Sequence, residues 1–298
     1  MSTAPHPEAR FGADWLALRA PADAAARADA VTALAARWLD ARRSSRRPLH
    51  LADLGAGSGN NARFLAPRLP GPQRWQLIDH DAALLERACA NGLESRAADG
   101  SPARFVPLTR ALDDLRDDDL HGFDLVSASA LIDLVSADWL SRFARALARS
   151  GAATLVALSV DGNWRFSDAG GDDVDPADAQ VRAAFNAHQR RDKGMGGALG
   201  PDAVACLAGL LRARGYRVLQ APSPWRLRLG DGPQAELARA VLDGWRDAAL
   251  EQTPAAADQI ADWHARRVPR LAQAGLTLEL GHTDLFACPA DTWPAERP

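Results

Sequence analysis

Five residues in the first third of the chain have types and spacing suited to holding a ligand: Asp53, Gly55, Gly57, Gly59 and, 24 residues beyond Gly55, Asp79. In the run Asp53-Leu54-Gly55-Ala56-Gly57-Ser58-Gly59, glycines permit a turn that side chains would obstruct. They also bring backbone N–H groups against a ligand at the start of the following helix. Taken singly, the acids read as caps or turn formers and the glycines as a tight bend. Their joint register at successive strand ends is what such readings leave unexplained, because open α/β sheets bind ligands outside the carboxyl ends of their strands. A dinucleotide-binding turn requires a third glycine at position 60, which is Asn60, so a nicotinamide-dependent oxidoreductase is disfavoured.

Two further groups have the chemistry of a proton acceptor. Val181, Phe185, His188 and Asp192 follow at i, i+4, i+7 and i+11, on one helix face, so His188 can act as a base oriented by Asp192. The competing reading is a polar pair on a helix edge. Asp133, just beyond a strand, stands near the expected reaction centre or else complements a helix dipole. Trp164 and Arg165 are candidates to line an acceptor site, and His282, in an expected Gly-His turn before Asp284, reads as structural. Seven histidines and three separated cysteines (Cys89, Cys206, Cys288) offer no metal-site spacing, so no metal is expected.

These residues need elements to position them. LHLADL (49–54), WQLID (75–79), ARFVPL (103–108), FDLVSAS (123–129) and AATLVALS (152–159) read as strands alternating with helices. YRVLQA (216–221) and LTLELGHTDLFACP (276–289) supply a sixth and a seventh. Val31, Leu34, Trp38 and Leu39 make an apolar stripe on a helix over 22–41, after a loose start. The helix after Ser136 carries Leu140, Phe143 and Leu147 and stops at Gly151, and Gly92 ends the helix that starts near Asp81. Asp175 and Pro176 are expected to open the helix carrying His188. The run Arg42, Arg43, Arg46, Arg47 reads as a solvated connection. Alternation of this kind gives a doubly wound, mostly parallel α/β sheet of seven strands with an added helical cap.

With Asp53, the GxGxG turn, Asp79, FDLV at the fourth strand and HTDLFACP at the end, residues 47–160 and the terminal strand resemble the class I S-adenosylmethionine-dependent methyltransferases. The resemblance implies a Rossmann-like fold and S-adenosylmethionine as cofactor. The 55–59 turn would lie against its methionine part, Asp53 would hold the ammonium directly or through water, and Asp79 would accept from both ribose hydroxyls. The family often places an adenine-contacting acid after the third strand. Thr109 or Arg110 stands there instead, with Asp113 and Asp114 a few residues late. The expected layout of the single domain 1–298 is N-terminal helices 11–45, a cofactor-binding core 47–160, a cap insertion 161–200 and a C-terminal part 201–290.

The expected activity is methyl transfer to a small molecule. Oxygen is favoured as acceptor because a pocket base is at hand and SASALIDLV lacks the Asn/Asp-Pro-Pro-aromatic box found in methyltransferases acting on the nitrogens of nucleic-acid bases or glutamine amides. A catalytically inactive cofactor-holding module and a nucleic-acid methyltransferase are the alternatives. A net charge of −3 and a pI near 6.2 supply no basic field, so nucleic acid is not the expected partner. The N-terminus MSTAPHPEAR lacks the apolar core of a signal peptide. No stretch approaches the roughly 18 uncharged apolar residues of a membrane span, so a cytoplasmic enzyme is expected, with room for a homodimer.

Overall fold

The computed structural model describes residues 12–43, 47–113, 115–192, 194–230 and 232–295. Of the loose start expected before residue 22, residues 1–11 lie outside the described residues, as do Arg46 and Asp114, whereas 13–21 are helical. In chain order the elements are α1 (Ala13–Ala26), α2 (Asp29–Asp40), β1 (Leu49–Leu54), α3 (Asn60–Leu65), β2 (Gln73–Asp79), α4 (Ala82–Asn91), β3 (Ala103–Thr109), β4 (Leu125–Ser129), α5 (Ala137–Ser150), β5 (Ala153–Asp168), β6 (Gly171–Asp172), α6 (Asp178–Gln189), α7 (Ala203–Arg212), β7 (Tyr216–Pro222), β8 (Trp225–Arg228), α8 (Pro233–Gln252), α9 (Ala257–Arg270) and β9 (Thr277–Pro289).

The main path of the sheet runs β3-β2-β1-β4-β5-β9-β7, with β6 on β5 and β8 on β9. Strands β1 to β5 pair in parallel, while β9 runs antiparallel to both β5 and β7. The expected doubly wound sheet is therefore present, with its last strand reversed. Its strand order reverses between β1 and β4, which opens a crevice at their carboxyl ends. One face is covered by α5 and α7, whose Leu140, Phe143, Leu147, Leu207 and Leu211 are fully buried against Val126 and Val156. The other face carries α2, α3 and α4, through Val31, Trp38, Leu65 and Leu85 against Leu51 and Leu77.

The cap draws on the C-terminal part as well as on the expected insertion. β5 and β9 continue past the sheet as a paired ribbon, Val160↔His282 to Ser167↔Thr277, which β8 joins. A third core of Trp164, Phe166, Trp225, Trp245, Trp263 and Leu278 then holds α6, α8 and α9 on that ribbon, with Trp164 stacked on Trp245 at 4.4 Å. Residues 161–200 are one part of the cap, and 223–280 supply the rest.

Three local expectations are corrected. The helix expected over 22–41 is two helices, because Arg27 and Ala28 are extended where the Ala28 N–H donates to the buried Asp284. Helix α6 begins at Asp178, three residues after Asp175. The Asp175 carboxylate accepts from the Ala177 N–H and pairs with Arg266 instead of capping the helix. Gly281 and His282 form no turn but lie within β9. No helix among the described residues is long and apolar enough to cross a membrane.

Candidate cofactor and acceptor site

At the crevice lies a cavity of about 230 Å³. Its floor is Gly55, Ala56, Gly57 and Ser58, its far wall Asp79 to Asp81, Leu84 and Ala111 to Asp113, and its near wall Ser129 to Leu131, Leu134 and Leu158. Helix α1 roofs it with Leu16, Arg19, Ala20, Asp23 and Ala24, and carries no fully buried residue itself. One face meets the cavity, while Trp15, Leu18, Ala22 and Ala26 pack against the cap core.

The glycine turn has two separate jobs. Gly55 (φ +62°) and Gly57 (φ +51°) line the cavity in left-handed backbone, and a Cβ on Gly57 would stand 3.2 Å from Leu16 of the roof. Gly59 (φ +77°) does not line the cavity: a Cβ there would sit 2.8 Å from the Cβ of Ala88. Its expected place at the ligand is corrected to close packing of α3 on α4. Gly59→Ala is expected to cost about 1 to 3 kcal/mol of stability through clash and backbone strain. An unshifted urea midpoint would contradict that packing role.

Asp79 stands on the cavity wall as the register implies. Its Oδ2 accepts from the Gly57 N–H at 2.8 Å and its Oδ1 from the Asp81 N–H at 3.0 Å, so the same carboxylate fixes the glycine turn. Asp53 is fully buried one layer beneath the wall. Its Oδ1 accepts from Asn61 Nδ2 (2.6 Å) and Ser127 Oγ (2.8 Å), while Oδ2 is without a partner. Burial pushes its carboxyl up to about 6, against the pull of Asn61, Ser127 and Arg27. The cavity-facing side chain above it is Asn61, so Asp53 acts through that amide. Asp113 does line the cavity, although the register puts it late, whereas Thr109 does not and Arg110 pairs with Asp119.

The proton-acceptor candidates separate. His188 is absent from the cavity wall: its Nε2 is 3.0 Å from Glu251 of α8, and Asp192 accepts instead from the N–H groups of Gly194 and Gly196. The expected His188–Asp192 pair is thus not formed: α6 ends at Gln189, which leaves Asp192 off the helix, while Val181 and Phe185 pack into the cap core. Asp133 does not line the cavity either: it sits behind the wall residues Leu131 and Leu134, in a 3-10 turn after β4, 6% exposed and with Oδ1 lacking a partner. Burial pushes its carboxyl up to about 6, partly countered by its own backbone N–H and by Arg19.

Trp164 belongs to the cap core, and Arg165 pairs with Glu279 on the surface. His282 is buried beside Trp225 with Nδ1 3.1 Å from the Leu280 carbonyl; burial lowers it to about 3, which keeps it neutral.

Sequence reasoning missed Arg27, Asn61 and Asp284. Asp284, 1% exposed, accepts from the N–H groups of Ala28 and Leu158 and from Ser223 Oγ, with Arg27 Nε 3.5 Å away. It thereby ties the α1–α2 junction to Leu158, which with Ala130 holds non-glycine positive φ (54° and 51°) in the cavity wall. Such backbone costs about 1 to 3 kcal/mol each and persists where the surroundings over-determine it. The sequence signal was an acid in an otherwise apolar strand, LFACP after HTD.

Fold and site together define a ligand pocket at the switch point of a doubly wound sheet, lined by a glycine turn and the acid that ends the second strand. No family model and no curated protein matches the chain. Among solved structures it is similar to the cyclopropane synthase MmaA2 from Mycobacterium tuberculosis (12% identity, 93% of this chain and 94% of that one, TM-score 0.46). It is also similar to an S-adenosylmethionine-dependent methyltransferase from Geobacter sulfurreducens in complex with S-adenosyl-L-homocysteine (16%, 90% and 96%, 0.41). An O-methyltransferase family protein from Burkholderia thailandensis is similar at 16% identity and a TM-score of 0.43. The chain covers 56% of that protein's length, and 89% of this chain is matched.

Among the described residues no group of three or more His, Cys, Asp and Glu is arranged to hold a metal ion.

Proposed function

We propose that the protein is an S-adenosylmethionine-dependent methyltransferase acting on a small molecule, with an oxygen acceptor favoured. The observation that carries this reading is the meeting of Asp79 and the Gly55–Gly57 backbone on one wall of the roofed cavity. The residues present fit such a cofactor. Asp79 offers two oxygens for vicinal hydroxyls, Leu84, Ala111 and Leu112 form an apolar side for an aromatic base, and the buried Asp53 supports Asn61 toward an ammonium group.

S-adenosylmethionine, when bound, supplies a sulfonium-activated methyl group. What this chain adds is alignment, exclusion of water and a destination for the acceptor's proton. Leu16, Leu131, Leu134, Leu158 and Met195 surround the acceptor end with apolar surface. We assign the base role to Asp133 and not to His188, because Asp133 has an unpartnered oxygen beside the wall whereas His188 is bound to Glu251.

Calorimetric titration with S-adenosylmethionine, S-adenosylhomocysteine and a nicotinamide dinucleotide tests the reading. Micromolar binding of the first two alone is expected. Absence of both, in folded protein, withdraws the enzyme assignment.

A further inference from the structure

Strand β5 is interrupted where it reaches the cavity. Its ladder with β9 pairs Val156 with Leu285 and resumes at Ser159 with Thr283, so that Ala157 and Leu158 stand opposite Asp284 alone. A bulge of this kind re-aims side chains and recurs beside active sites. Here it puts Leu158 into left-handed backbone (φ +54°), and the Leu158 N–H donates to Asp284 Oδ1 at 2.8 Å in place of a strand carbonyl. The Ala157 carbonyl accepts from the N–H of Ala130 at 2.9 Å, which joins the second non-glycine residue at positive φ (+51°) to the same bulge. Both strained residues line the cavity, on the wall that also holds Leu131 and Leu134.

A glycine would adopt either conformation freely, so strain at a leucine and an alanine persists only because the surroundings impose it. At Leu158 they impose it through one carboxylate. Asp284 Oδ1 takes the Leu158 N–H and the Ser223 hydroxyl (2.6 Å), Oδ2 takes the Ala28 N–H (2.9 Å), and Arg27 supplies the counter-charge at 3.5 Å. A regular antiparallel ladder would satisfy this stretch with backbone bonds alone and bury no charge. What the acid adds is a bulge of defined shape, fastened to the end of the roof helix.

We infer that Asp284 is a positioning residue for methyl transfer: it holds the Leu158 bulge, and through it the acceptor side of the cavity, against the roof. This rests on the cofactor reading above. The hydrogen bond between Gly57 and Asp79 on the cofactor wall does not involve Asp284, so the two functions separate in experiment.

The test is calorimetry with S-adenosylhomocysteine, which has no group at the transfer position, and S-adenosylmethionine, whose methyl points at the acceptor wall. In Asp284→Asn a single amide oxygen cannot serve both the Leu158 and the Ala28 sides, and the NH2 meets a donor on the other. S-adenosylhomocysteine should keep its wild-type affinity within about threefold, while the affinity ratio of the two probes shifts by about tenfold. Ser223→Ala frees Oδ1 but keeps the Asp284 charge, so it separates wall shape from the field acting on the sulfonium. It should shift the ratio in the same direction by about fivefold, and serves if the asparagine variant does not fold. Hydrogen exchange supplies the second readout. The amides of 128–132 and 155–160 should lose protection by about tenfold with those of β1 and β2 unchanged, whereas a role confined to stability would speed exchange in all of them together. A probe ratio in Ser223→Ala within about twofold of wild type, or exchange that rises uniformly, overturns the positioning role and leaves the cofactor reading intact. Failure of both probes to bind wild-type protein overturns both.

Discussion

Asp133→Asn is expected to lower methyl-transfer turnover by roughly 10²- to 10⁴-fold, the range for loss of a positioned base, while making the protein more stable at neutral pH. The two effects have one origin. Asp133 is buried with an unpartnered oxygen, and burial raises its carboxyl to about 6 from an ordinary value of 3.8. A carboxyl whose folded value is raised holds its proton better in the native state. Its favourable contribution is therefore fully present below pH of about 4 and is lost as pH rises through about 6. At pH 7 the native protein carries the cost of a buried charge, and the amide should recover roughly 1 to 3 kcal/mol of it. The gain should vanish near pH 4. Turnover is read as release of S-adenosylhomocysteine across a screen of hydroxyl acceptors, with His188→Ala as a control expected to change it by less than about twofold. For wild type, kcat/KM should rise toward pH of about 6 and level above it. A fully active Asp133→Asn would remove the base from the mechanism, and a stability loss at pH 7 would mean that its charge is satisfied by a contact other than those described.

How much of this was legible in the sequence depends on range. The strands, the turn and Asp79 announce themselves locally: alternation of apolar runs with helices, glycines where positive φ is needed, an acid where a parallel strand ends. Elements set by distant contacts do not. Arg27 and Ala28 sit in an alanine-rich helical pattern, and the Asp284 carboxylate that takes the Ala28 N–H where the helix breaks is 256 residues away. The same distance hides Arg27 as a wall residue, since an arginine in such a segment reads as solvated. His188 shows the converse error. The periodicity puts Val181, Phe185, His188 and Asp192 on one helix face toward a pocket, but the helix ends at Gln189, before Asp192, and Val181 and Phe185 cover the cap core, because periodicity alone says neither where a helix stops nor what its face meets. Asp53 and Gly59 matched a ligand pattern by spacing, yet one supports the wall from below and the other admits α4.

Asp79→Ala is expected to weaken S-adenosylhomocysteine binding by about 1 to 3 kcal/mol, or roughly 5- to 150-fold in Kd. Two mechanisms contribute. The alanine removes both oxygens offered to the ribose hydroxyls, and it also releases the Gly57 N–H that Asp79 holds at 2.8 Å, loosening the turn beneath the ligand. A ligand lacking the 2′-hydroxyl separates them. In wild-type protein this analogue should bind more weakly than the parent, because one oxygen of Asp79 loses its partner. In Asp79→Ala the two ligands should bind alike, since no ribose acceptor remains to tell them apart, and whatever affinity is still missing relative to wild type belongs to the turn. Asp79→Asn should fall between, retaining an acceptor for the Gly57 N–H while presenting a donor to the sugar. If a folded Asp79→Ala keeps wild-type affinity, or still discriminates against the deoxy ligand, another residue recognises the ribose and the carboxylate's service is to the glycine turn alone.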